Sequence, residues 1–309
     1  MFKMKTKEKR FMKMKRYMMA FLLSGMAFGT VNAQLAPLGA MYYHNQYLNN
    51  PAFAGLGQGL EVDLGYRQQW STIPGGPKVQ VLTGSYAMTP KAGLGLNLYN
   101  DQTGLFKRTR LMGSYAYHLP VSSRGDRLSF GVSLGYMDEM VDQGLMDGDP
   151  NDASTRNFNQ RQQYVDGDFG VAYTSGKLSL QAAMPNLRNS LGFSKDGDQV
   201  VNEARFFAAA SYKIRLSDSE GMGVEPKVAF RGVKGMDNIF DVGANFTFAE
   251  DKIGLMAVYH STESTSFGLS AKVSKAINIL GLYTSNTGAM AGQTNGSFEL
   301  NLKVNLFGK

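Results

Sequence analysis

The chain has 309 residues, no cysteine, 36 glycines, 18% charged residues and 11% aromatics. Without cysteine there is no disulfide, no thiolate nucleophile and no cysteine-ligated metal. Charge is too sparse and aromatics too frequent for a disordered chain, and glycine shows no three-residue period, which excludes collagen.

The formal charge of +7 would ordinarily point to nucleic acid or an anionic surface. It sits entirely between Met1 and Arg16, where eight cations face only Glu8. An uncharged apolar run from Tyr17 to Gly29 follows, then Thr30-Val31-Asn32-Ala33. A basic start, a short apolar stretch and a small residue at the cut are the parts of a secretory signal peptide. The run is shorter than the ~20 residues a membrane helix needs. Residues 1–33 are therefore expected to be a leader cleaved between Ala33 and Gln34, with an uncleaved signal anchor as the alternative. The remainder is charge-balanced, so nucleic-acid binding loses its support.

Residues 34–59 form the next unit. They do not alternate and are rich in Tyr, Asn, Gly and Pro, ending in Tyr47-Leu48-Asn49-Asn50-Pro51-Ala52-Phe53-Ala54-Gly55.

From Leu60 onward every second position is apolar in segments about ten residues long, the period of a pleated strand. Leu60, Val62, Leu64 and Tyr66 alternate with Glu61, Asp63, Gly65 and Arg67. Phe298, Leu300, Leu302, Val304 and Leu306 alternate with Glu299, Asn301, Lys303 and Asn305. The pattern predicts about fourteen strands, near 60–71, 78–88, 92–99, 107–119, 127–138, 164–174, 177–184, 204–215, 224–233, 238–249, 252–260, 265–273, 277–286 and 296–307. The fold class expected is all-β, a transmembrane antiparallel β-barrel over 60–309, with 34–59 a non-strand plug or lid at its periplasmic end. Closure is required because lipid cannot satisfy a free strand edge. The two longest connections, about 139–163 and 185–203, follow the fifth and seventh strands and so emerge on one side. Turns such as Thr89-Pro90-Lys91 and Ser175-Gly176 lie on the other. Outer-membrane barrels have short periplasmic turns and longer outside loops, which places the N-terminal side of the barrel in the periplasm. Arg at Leu302 is expected to cost far more than Arg at the lumen-facing Asn301.

Chemistry is sparse. His44, His118 and His260 lie far apart in sequence, and no local pattern supplies a nucleophile, base and orienting group. No catalytic residue, cofactor or metal site is expected. Asp147-Gly148-Asp149-Pro150-Asn151-Asp152 fails as a calcium loop, because Ala153 and Phe158 stand where glycine and glutamate are needed.

Asn50-Pro51-Ala52 with Gly55, followed by Tyr66-Arg67-Gln68-Gln69-Trp70 and Gly76-Pro77, resembles the opening of the PorP/SprF family of the type IX secretion system, outer-membrane proteins of the Bacteroidetes. The resemblance continues through Gly93-Leu94-Gly95, Asn100-Asp101 and Asp168-Phe169-Gly170-Val171-Ala172-Tyr173 into the last strand. It departs at Tyr259-His260, where the family usually carries Tyr-Arg. The family motif residues are thus Asn50, Pro51, Ala52, Gly55, Tyr66, Arg67 and Trp70. The resemblance implies a barrel of the secretion and gliding machinery, set in outer-membrane lipid and in contact with periplasmic apparatus proteins. A secreted surface adhesin with a C-terminal secretion signal is a further partner it allows. The rival is a passive diffusion channel or a FadL-like transporter of apolar solutes.

Overall fold

A computed structural model describes residues 39–142, 144, 159, 163–191, 204–217, 221–233, 237–286 and 294–307. The leader, the expected cut at Ala33 and Gln34, the acidic run 147–152 and most of both long loops lie outside these residues.

The strands are β1 (Leu60–Gln69), β2 (Lys78–Thr89), β3 (Ala92–Thr103), β4 (Phe106–Pro120), β5 (Arg127–Val141), β6 (Gln163–Thr174), β7 (Leu178–Met184), β8 (Ala204–Tyr212), β9 (Ile214–Ser217), β10 (Met222–Val233), β11 (Ile239–Phe248), β12 (Ile253–His260), β13 (Ser264–Lys272), β14 (Ile277–Thr284) and β15 (Ser297–Leu306). They form one antiparallel sheet that closes on itself. β15 returns to β1 with Leu60 opposite Leu306 and Gln69 opposite Ser297. β8 and β9 lie end to end along β10, so the 15 strands occupy 14 places in the ring. The fold is a closed 14-strand barrel.

Registers keep the apolar positions on one surface: Leu64 faces Leu302 on one side and Leu82 on the other. That surface is the outside, where Leu134, Leu300 and Phe267 are more than half exposed. Large exposed apolar side chains all round the ring are costly in water and favourable against lipid. The inner surface carries Asp63, Arg67, Asp168, Arg231, Asp241 and Glu299, all buried.

Two local features differ from the sequence expectation. β3 runs on to Thr103 and β5 to Val141, because the backbone ladder continues where Asn100-Asp101-Gln102 ends the apolar alternation. The stretch expected as a strand over 204–215 breaks at Lys213, and the expected connection at 216–223 is partly strand, with β9 running to Ser217 and β10 starting at Met222.

Candidate functional site

The lumen holds the N-terminal segment. Three short 3-10 turns, Met41–Tyr43, Gln46–Leu48 and Pro51–Phe53, carry the chain inside the ring. At the rim where β1 begins, Gly55 N donates to Ser85 Oγ at 2.7 Å, Arg127 Nη1 donates to Leu56 O at 3.2 Å, and His118 Nε2 meets Ala54 O at 3.0 Å. Farther in, Asn50 Nδ2 donates to Val171 O at 3.2 Å, Tyr47 and Ser114 share a hydroxyl contact at 2.8 Å, and Asn45 Nδ2 donates to Thr83 Oγ1 at 2.8 Å. Farthest from that rim, Ala40 N donates to the Glu299 carboxylate at 3.1 Å, and Arg67 pairs with the same carboxylate at 3.4 Å. Arg67 lies near the far end of β1, so the segment runs along most of the lumen rather than lying across one rim.

Local chemistry explains this path. Asn45 accepts from Leu48 N and Asn50 from Ala52 N, each capping the turn it precedes. Pro51 occupies a first turn position, where its missing N–H costs nothing. Gly55 has φ +65°, and a side chain there would strike the backbone of Tyr86 and Gly93. The barrel wall is recessed to match. A methyl on Gly131 would overlap Pro51 and Ala52, and one on Gly95 would overlap the Tyr47 ring. We therefore expect Gly131→Val to leave the strands paired but to dislodge the segment. Limited proteolysis of the folded variant should cleave within 42–55 at least tenfold faster than wild type, about the change expected from ~1–3 kcal/mol of overpacking. Unchanged cleavage would place the segment elsewhere.

The strongest tie joins Tyr42 to β10–β13. The Tyr42 hydroxyl donates to Asp241, and burial pushes its pKa well up, keeping the proton on. Arg231 reaches both oxygens of the same carboxylate at 2.9 Å. His260 Nδ1 meets it at 2.6 Å, and His260 Nε2 lies 2.7 Å from Ser266 Oγ. Ser266, His260 and Asp241 thus stand at the spacings of a hydrolytic triad. The surroundings do not suit hydrolysis. Ser266 is completely buried, its hydroxyl is shared with Thr284 at 2.6 Å, and the carboxylate is committed to Arg231 and Tyr42. The array is built to hold the Tyr42 ring, which also packs edge-on against Phe207.

His44, on the segment, is held neutral. Burial, then Lys303, Lys227 and Lys272, push its pKa down to about 3, and Asn278 Nδ2 lies 3.3 Å from its Nε2. A folded pKa below the unfolded value of ~6.5 means that the stability is present at neutral pH. It is lost as pH falls from ~6.5 towards the folded value. Protease sensitivity of the segment should rise between pH 7 and pH 4, and His44→Gln should flatten that rise. A pH response unchanged in the variant would assign it to another group.

The motif residues divide into two groups. Asn50, Pro51, Ala52 and Gly55 build the segment at the first rim, and Arg67 anchors its far end through Glu299. Tyr66 points outward, its hydroxyl donating to Gln68 at 3.2 Å. Trp70 ends β1 with φ 52°, its N–H donating to Gly296 O at 3.1 Å. No local pattern marks the Asp241 cluster, whose members come from four strands and the segment. Its only local trace is His260 in place of the usual arginine.

The profile of the type IX secretion system membrane proteins PorP/SprF matches residues 31–304. The chain belongs to the PorP/SprF family. A search of curated proteins gives no match. Among solved structures, the toluene transporter TbuX of Ralstonia pickettii is 12% identical, with 83% of this chain and 92% of that one covered and a TM-score of 0.49. Omp33 of Acinetobacter baumannii is 9% identical, with 82% and 100% covered and a TM-score of 0.48. The monoaromatic hydrocarbon channel CymD is 13% identical, with 89% and 95% covered and a TM-score of 0.47. At these identities nothing of what those proteins transport passes to this chain. In PorP/SprF terms, the Asn-Pro-Ala-x-x-Gly signature is the part of the segment that seats it against β5 and β6.

Proposed function

We propose that this PorP/SprF barrel is a non-enzymatic component of the type IX secretion and gliding machinery of a Bacteroidetes outer membrane. It is exported by a leader cut between Ala33 and Gln34. It works by holding proteins at its two ends rather than by passing solute. The observation that carries this reading is the N-terminal plug, bonded to the wall from the rim where β1 begins to the Arg67–Glu299 pair. A pore whose lumen is filled by its own chain is poorly suited to diffusion and well suited to serve as a rigid platform. The short turns face the periplasmic secretion apparatus. The long connections 139–163 and 185–203, with their mixed acidic and basic residues, face outward to a secreted surface protein that carries a C-terminal secretion signal. There, charge gives specificity more than affinity.

Deleting the gene should abolish secretion or surface retention of at least one type IX cargo, or gliding. Shortening both long connections should leave the barrel in the outer membrane and release that cargo to the medium. Normal secretion, retention and gliding in the deletion strain would refute the role.

A further inference from the structure

We infer that the outer surface of β13–β15 and β1–β4 carries a specific site for a multi-acyl phosphoglycolipid of the lipid A class. Two grooves on the lipid-facing surface adjoin there. The larger, about 750 Å³, has Gly281 as its floor, with Phe267, Leu269, Tyr283 and Phe298 around it. A side chain on Gly281 would meet nothing within 4 Å, so the dent is a property of the bare backbone. The smaller, about 390 Å³, lies among Leu64, Leu82, Leu98 and Leu302. Tyr66 and Leu300 line both grooves and form the ridge between them. Two apolar channels either side of one ridge suit two chains of a single lipid. Both open onto the exposed apolar belt that already faces the bilayer.

The head end is defined by polar side chains on that same outward surface. In the ladder row of Tyr66, Asn100 Nδ2 donates to Gln80 Oε1 at 3.3 Å, and Thr109 Oγ1 donates to Asn100 Oδ1 at 3.1 Å. One row nearer the loops, Lys78 stands opposite Gln68 and Gln102, and Lys107 opposite Gln102. Neither lysine pairs with a carboxylate among the described residues. Asp138 shares the surface, opposite Thr109. Amides and hydroxyls suit a sugar, and the two ammonium groups suit phosphate. The patch crosses four strands, roughly 15 Å at the usual strand spacing, which is broad for one phosphoglycerol head and matches a disaccharide.

This inference rests on the orientation taken under the proposed function, in which the loop end lies in the outer leaflet. The test uses the full-length protein, incubated in detergent with lipid A and with phosphatidylglycerol. Lipid retained per barrel is read by native mass spectrometry, and folding is checked by heat-modifiable migration. Wild type should retain lipid A in preference to phosphatidylglycerol. Lys78→Glu with Lys107→Glu should lower lipid A retention on the order of tenfold and retention of the singly charged phosphatidylglycerol by a smaller factor, as expected for charges near a lipid surface. Gly281→Phe, which fills the larger groove, should lower retention of both lipids on the order of tenfold. Equal retention of the two lipids by wild type would overturn the head assignment. Wild-type retention by folded Gly281→Phe would overturn the groove. Neither result depends on whether the barrel serves secretion.

Discussion

Asp241→Ala should destabilise the folded barrel by ~3–5 kcal/mol, the cost of stripping one partner from a buried ion pair. The substitution leaves the Arg231 guanidinium, 2% exposed, without its carboxylate, and it deprives the Tyr42 hydroxyl and His260 of a shared acceptor. Tyr42→Phe removes only the hydrogen bond and keeps the ring against Phe207. Its cost should be about 1 kcal/mol, seen chiefly as faster proteolysis of the segment. Urea unfolding of both variants in lipid vesicles separates the two effects. Equal midpoints for wild type and Asp241→Ala would show that the cluster does not hold the segment. Ser266→Ala should cost less than Asp241→Ala by this measure, because it strips only neutral hydrogen bonds, those to His260 and Thr284, and leaves the Arg231–Asp241 pair intact.

Leu302→Arg should cost ~2–4 kcal/mol, the penalty for a cation facing the middle of the hydrocarbon. Alternation along β15 made Asn301 its natural lumen-facing control, and the structure corrects this. Asn301 is 1% exposed, donates to Asp63, and sits beside Gly65 and Met41 under the segment. An arginine there has no room, and its cost should equal or exceed that of Leu302→Arg. Asn305, lumen-facing and half-buried near the strand end, is the proper control, and Asn305→Arg should cost under 1 kcal/mol. Chemical unfolding of the three variants checks the ranking. A cheap Asn301→Arg would mean that the lumen there is open.

The contrast between these two neighbours shows what could be read from the sequence. Period-two alternation is a one-dimensional signal, and it marked the barrel face of Leu302 and the number of strands. It marked the lumen only as polar, because Asn301 reads alike whether water or chain stands in front of it. The segment 34–59 could be recognised as non-strand from its Asn, Pro and aromatic content. Its reach to Glu299 could not, since each partner comes from a different strand. His260 read as an isolated histidine because Asp241 and Ser266 meet it only once β11, β12 and β13 are in register. Apolar alternation stops short of the strand end at Asn100-Asp101-Gln102, where the hydrogen-bond ladder outlasts the apolar belt.

The conductance of the purified full-length protein in planar bilayers tests the filled lumen most directly. Wild type should show no stable ion-conducting steps, and a variant lacking residues 39–55 should show them if its strands still close. Stable, large steps from the wild-type protein would contradict the account and favour a diffusion channel.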